Sequence, residues 1–179
     1  MKLMTINTHS LLEKNSEQKR LVLENAIFDE KPDIIAMQEV NQTADAPASK
    51  HNPMADVQSK ILLRDDNYAA AIINGLYARG GRYYGAWLPI KNGYKKYDEG
   101  LAVLSRLPII ETDNILMSEI DDYTNWKTRR ALGIKTEKGW FYSVHMGWWD
   151  DNEEPFYKQW KKLYAAVKEK QKVWLMGDF

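Results

Sequence analysis

Ile34-Ile35-Ala36-Met37 is a continuous apolar run, closed on one side by Lys31-Pro32-Asp33 and on the other by Gln38-Glu39. A short unbroken run between polar boundaries reads as a strand buried on both faces, since a strand with one wet face would alternate. Upstream, Leu3 to Asn7 reads as a short strand, and about Glu17 to Glu30 reads as a helix with Ser16 as its capping candidate. The chain therefore opens with a β-α-β unit.

Asn41 to Asp66 is polar and carries Pro47 and Pro53, which predicts a long excursion with at most a short helix. Asn67 to Arg79 has a helical pattern stopped by Gly80-Gly81. Strands are predicted over Tyr83 to Leu88, Gly100 to Ser105, Ile109 to Met117, Arg130 to Lys135 and Gly139 to His145, separated by Gly, Pro and Asn turns. Phe156, Trp160, Leu163 and Val167 recur at helical spacing after Pro155, and Val173-Trp174-Leu175-Met176 forms a last strand. The elements describe a layered α/β or α+β domain, and 179 residues with 44% hydrophobic content can bury one core.

Charge narrows the partners. The 25 basic and 25 acidic residues balance, whereas proteins that grip duplex phosphates usually carry a basic stripe. With no cysteine, only oxygen and histidine ligands are left for a metal. No apolar stretch is long enough to cross a bilayer, and the first residues lack a signal-peptide core, so a cytoplasmic protein with no membrane partner is expected.

Several polar residues stand at the ends of these elements. Glu39 follows one buried run and Asp178 ends another, and carboxylates at several strand ends can converge on a hard cation. The scarce histidines are His9, His51 and His145. A lone strand histidine such as His145 is more often a satisfied structural residue, His9 can line a pocket or bond nearby backbone, and His51 sits in the polar excursion. Arg129-Arg130 offers a planar fork suited to phosphate oxygens, with a surface pair as the plain alternative. Trp87, Trp126, Trp148 and Trp149 fall at strand ends or loops, where flat faces suit stacking on sugars or unpaired bases; Trp160 and Trp174 read as core. The run Asp150-Asp151-Asn152-Glu153-Glu154 would place negative charge beside them.

Taken in order, Asn7, Gln38-Glu39, Tyr97-Asp98-Glu99-Gly100, Ser143-Val144-His145 and Gly177-Asp178-Phe179 resemble roughly the first two thirds of the endonuclease/exonuclease/phosphatase, or DNase I-like, superfamily of metal-dependent phosphoesterases. That resemblance implies a four-layer sandwich, two packed β-sheets flanked by helices, as a single domain over 1–179 from which the C-terminal part is missing. It implies Mg²⁺, or alternatively Mn²⁺, at Glu39 and Asn7, with Asp178 orienting the attacking water and His145 contacting phosphate. His9, Glu99, Arg129, Arg130, Trp126, Trp148 and Trp149 would then surround the substrate. Without the superfamily's later strands and terminal Asp-His pair, the chain is expected to have little activity and to self-associate through an exposed sheet edge.

Asn7-Thr8-His9-Ser10, Tyr97-Asp98-Glu99-Gly100, Asn125 to Leu132 and His145-Met146-Gly147-Trp148-Trp149 look similar to a group of bacterial proteins that includes maltose 6'-phosphate phosphatase. A small phosphorylated sugar is accordingly the expected substrate. A DNA endonuclease, exonuclease or abasic-site repair enzyme is the second reading and a phospholipid or inositol-phosphate hydrolase the third. A non-catalytic binding module on the same fold is the reading from a different class.

Overall fold

In the computed structural model, which describes residues 1–179, Ile34, Ile35, Ala36 and Met37 are all fully buried. The β-α-β opening is present. Strand β1 (Leu3–Asn7) and strand β2 (Ile34–Thr43) are parallel neighbours joined through helix α1 (Ser16–Glu30). The remaining elements are β3 (Met54–Ala55), α2 (Tyr68–Ala78), β4 (Tyr84–Gly93), β5 (Tyr97–Ser105), β6 (Glu111–Leu116), β7 (Arg130–Thr136), β8 (Gly139–His145), α3 (Phe156–Val167) and β9 (Val173–Asp178).

They form two sheets, ordered β1-β2-β5-β4-β3 and β6-β7-β8-β9. Alternation along each strand sorts the apolar residues into three cores. Ile34 and Ala36 of β2, Leu88 of β4 and Leu101 and Val103 of β5 meet Leu132, Ile134, Phe141 and Met176 between the sheets. Ile35, Met37, Ala102 and Leu104 face α1 and α2 on one outer side, while Ala131, Tyr142 and Val144 face Leu163 and Val167 of α3 on the other. The result is helix, sheet, sheet, helix: the four-layer sandwich expected. No helix is long and apolar enough to cross a membrane.

Four local expectations are corrected. Strand β2 continues through Asn41 to Thr43, because a bulge keeps it paired and buries Asn41 and Gln42 completely; their polarity had resembled a loop. Strand β4 runs on past Leu88 to Gly93, the register shift between Pro89 and Lys91 accommodating a residue with no N–H to donate. This places Trp87 in mid-strand, buried, with its indole N–H donating to the Val40 carbonyl at 3.0 Å, so it is not at a rim. Ser16 is the first helical residue of α1, and the cap position is Asn15, whose side chain makes no capping bond.

Helix α3 is also rotated relative to its apolar pattern. Gln159 is fully buried, accepting from Gly147 N at 2.8 Å and donating to the Glu154 carbonyl at 2.7 Å. Trp160 lies at the edge of the buried face and is 37% exposed. A satisfied polar side chain took the place that periodicity assigned to an aromatic one.

One polar contact ties the sheets together inside the apolar core. Gln38 Nε2 donates to Ser143 Oγ at 2.9 Å, and Ser143 Oγ donates to the Met37 carbonyl at 2.9 Å. Ser143→Ala leaves the buried Gln38 amide short of an acceptor and should lower unfolding free energy by about 1–3 kcal/mol in urea denaturation. Trp160→Ala, at the solvent edge, should cost less than about 1 kcal/mol.

Candidate active site

The site begins with a backbone irregularity. Met37 pairs with Ala102 and Val40 with Gly100, so Gln38 and Glu39 together oppose Leu101. Glu39 takes φ +53°, a left-handed conformation that costs a non-glycine residue energy and persists only where neighbours impose it. Here the Thr8 hydroxyl donates to the carbonyls of Gln38 and Glu39 at 2.9 and 3.1 Å. Ser10 Oγ donates to the Glu39 carbonyl at 2.7 Å and accepts from Asn41 N at 2.9 Å. Strand end and loop clasp the bulge, and the Glu39 carboxylate is turned out of the ladder.

It meets two other strand ends. Asn7 closes β1, and its amide nitrogen donates to Glu39 Oε1 at 2.8 Å and to Asp178 Oδ2 at 3.1 Å. Asp178 closes β9, directly after Gly177, whose φ is +154° and where a Cβ would lie 2.0 Å from the Val144 carbonyl oxygen. Only glycine lets β9 approach β8 this closely. His9 Nε2 lies 3.3 Å from Glu39 Oε2, and His145 Nε2 lies 3.9 Å from Asp178 Oδ2. His51 is exposed in the excursion, outside this group.

Cations flank the carboxylates. Arg129, just before β7, is 7% exposed, and its Nη1 donates to the carbonyls of Trp126 at 2.7 Å and Thr128 at 3.1 Å. Its Nε finds no partner in the protein. Burial holds the Arg129 guanidinium below its ordinary pKa, countered by the charges of Glu99 and Glu39. Lys91, near the end of β4, is depressed first by burial and then by the positive charge of Arg129, and Glu99 opposes both at 3.1 Å. His145 is likewise pushed down, first by burial, then by Arg129 and Lys91, with Glu39 and Asp178 pulling the other way.

Arg130 departs from expectation. It is engaged by Asp121 at 2.6 Å and Asn114 at 2.9 Å, so the structure commits it to its own sheet and leaves Arg129 as the arginine beside the carboxylates. Glu99 is likewise committed to Lys91, with neither Arg130 nor His145 as its partner.

A cleft of about 470 Å³ opens beside Asp178, lined by Arg129, His145, Trp148, Trp149 and Phe156 among others. Trp126 and Trp148 form a tilted pair with centroids 5.8 Å apart, and all of Trp126, Trp148 and Trp149 are more than half exposed. Three of the four acidic residues in the run beside them are engaged within the protein, and Asp150 is left exposed. Asp151 and Glu153 each bind Lys127 Nζ at 2.9 Å, and buried Glu154 accepts from the backbone of Glu119 and Ile120.

Glu39 and Asp178 bring two carboxylates to one amide nitrogen, a juxtaposition of like charges that a hard cation would relieve, and the donor atoms are all oxygen. No group of three or more His, Asp or Glu side chains is close enough to hold a metal unaided. That set suits an ion such as Mg²⁺, which takes one or two carboxylates and leaves its other positions to water and substrate. Asn7 turns its nitrogen to both carboxylates, so here it orients them. Sequence reasoning missed Lys91, hidden by a proline taken to end its strand, and Asn41, whose buried side-chain nitrogen and oxygen both lack partners.

The chain matches the family model described as Endonuclease/Exonuclease/phosphatase family over residues 4–179. Among solved structures it is similar to an endonuclease/exonuclease/phosphatase family protein from Leptotrichia buccalis, with 29% identity and a TM-score of 0.84, covering 100% of this chain and 66% of that one. It also shares its fold with a 3'-5' exonuclease from Neisseria meningitidis (19% identity, TM-score 0.58, covering 100% of this chain and 57% of that one). An AP endonuclease from Archaeoglobus fulgidus is similar at 18% identity and TM-score 0.56, with 99% of this chain and 56% of that one covered. The chain thus spans less than two thirds of the length of each. No curated protein matches it.

The electrostatics of the cleft can be read directly. In an NMR titration the His145 imidazole should have its midpoint below the ordinary 6.5. Removing the facing charge in Arg129→Met should move that midpoint upward, because the protonated ring then meets less repulsion. An unchanged midpoint would show that Arg129 does not face His145.

Proposed function

The chain belongs to the endonuclease/exonuclease/phosphatase family, and from that membership we propose that it is a metal-dependent phosphoesterase acting on a small phosphorylated sugar. The observation that carries this reading is the Arg129 guanidinium. It is buried, tied to the protein through Nη1 only, and leaves Nε unsatisfied beside a histidine and a pair of carboxylates. The free edge of a buried guanidinium is the fork that receives two oxygens of one phosphate.

In this reading Glu39 and Asp178 hold the divalent cation, Mg²⁺ or Mn²⁺, with Asn7 fixing their orientation. When bound, that ion supplies charge neutralisation at the phosphoryl oxygens. Arg129 meets the phosphate through its unbonded edge. With its pKa depressed, His145 is neutral near pH 7 and donates one ring N–H to a phosphate oxygen. Asp178, half exposed at the cleft floor, is placed to accept a hydrogen bond from an attacking water. The exposed tryptophans supply flat apolar faces for a sugar ring, and His9 and Glu99 stand behind Glu39 and Lys91.

A nuclease is the second reading, favoured by the tilted Trp126–Trp148 pair, because the same faces stack on unpaired bases. The balanced charge of the chain gives little of the phosphate-backbone attraction on which duplex binding depends.

The test is phosphate release from maltose 6'-phosphate by the protein at its native length. Release should require Mg²⁺ or Mn²⁺, stop with a chelator, and fall by about 10²-fold or more in Asp178→Asn and Glu39→Gln. Cleavage of abasic DNA without release from the sugar phosphate would transfer the protein to the nuclease reading.

A further inference from the structure

We propose that Lys91 is a positioning residue for phosphate recognition, keeping the open edge of Arg129 available by fixing the Trp126 carbonyl and occupying Glu99. The inference rests on Arg129 being the phosphate-binding arginine. Lys91 belongs to one sheet, and Arg129 with the Trp126 loop belongs to the other. They meet at one atom: the Trp126 carbonyl oxygen accepts from Arg129 Nη1 at 2.7 Å and from Lys91 Nζ at 3.3 Å.

The loop is gripped by the β4–β5 hairpin at two further points. Asn92 N donates to the Tyr123 carbonyl at 2.7 Å, and the Tyr123 hydroxyl donates to Asp98 Oδ1 at 2.7 Å. Those bonds place the loop's first half without Lys91. From the first sheet it is Lys91 that reaches Trp126, whose ring pairs with Trp148 at the cleft and whose carbonyl anchors Arg129.

Charge supplies the second half of the argument. Lys91 and Glu99 are paired at 3.1 Å with 12% and 13% side-chain exposure. Placing an ammonium close to a buried guanidinium is unfavourable by itself, and burial adds to the cost. Glu99 offsets it, and Glu99 is also the foremost charge favouring protonated Arg129. A Glu99 released from Lys91 would still be drawn to Arg129, whose charge it already favours. It would compete with substrate phosphate for the same guanidinium. Lys91 therefore acts twice, once on the Trp126 carbonyl and once by holding Glu99 in place.

The experiment uses inorganic phosphate as the probe, with affinity measured by calorimetry and the Arg129 Nε–H resonance followed by NMR. Lys91→Met should shift that resonance without phosphate present and weaken phosphate binding at least about tenfold. Glu99→Gln in the Lys91→Met background should restore most of the affinity, and Lys91→Arg should retain it. A plain loss of packing would not be repaired by the second substitution. An unmoved Arg129 resonance in Lys91→Met overturns the proposal and leaves the reading of Arg129 standing. A shifted resonance with unchanged phosphate affinity overturns it as well, by showing that Arg129 is not the phosphate ligand.

Discussion

The left-handed turn at Glu39 is the constraint on which the rest of the site depends. A strand that simply ended after Met37 would leave Glu39 mobile, and one that continued without a bulge would point it into the sandwich or the helix layer. The extra residue opposite Leu101 avoids both outcomes. The hydroxyls of Thr8 and Ser10 bear directly on the carbonyls of the bulge. His9 and Ser10 are themselves at φ +48° and +35°, so two strained segments brace one another. Strain of this kind is stable only when over-determined by contacts, and Asn7 at the end of β1 and Thr8 and Ser10 just beyond it supply those contacts.

The charges around that turn are arranged in two opposed groups. Glu39 and Asp178 converge on the Asn7 amide, while Arg129, Lys91 and His145 stand beside them, each with its protonated form disfavoured by burial. Neither group is neutralised within itself, except where Glu99 meets Lys91. A phosphoryl group with its cation carries both signs and can complete both groups at once. Sites with charge held ready in a poorly solvated setting stabilise developing charge without having to reorganise.

Much of this was legible in the sequence, for identifiable reasons. Ile34 to Met37 admits few environments, Glu39 and Asp178 stood out as carboxylates that end apolar runs, and Asn7 and His145 were picked out by their place in the family's order of motifs. Three failures share a cause. Asn41, Gln42 and Gln159 are polar and completely buried, each inside a regular element, and a pattern based on hydrophobicity assigns such residues to solvent. Trp160 was misplaced by the converse of that rule, and the strand beyond Pro89 because a proline reads as a strand end. That the Asp150 to Glu154 run brings negative charge to the site was legible, but its ties to Lys127 and to the backbone donors that Glu154 serves were not. Arg129 and Arg130 are adjacent and chemically identical, and only the pairing of Arg130 with Asp121 separates their roles.

Because the site is assembled from both sheets, its geometry is a property of how they pack. Glu39, Asn7 and Lys91 belong to the first sheet; Asp178, His145 and Arg129 belong to the second or to its loops. The distance between the two carboxylates is therefore set by the interface beneath them. There the Gln38–Ser143 bond fixes register, and Phe141 stacks on Trp174 at 4.6 Å and 9°. A close-packed interface transmits small volume changes instead of absorbing them. A displacement of the sheets by a fraction of an ångström would part Asn7 from Asp178 before it exposed any core. Recognition of phosphate should consequently be more sensitive than global stability to repacking at Phe141, Trp174 and Met176, residues that touch no substrate.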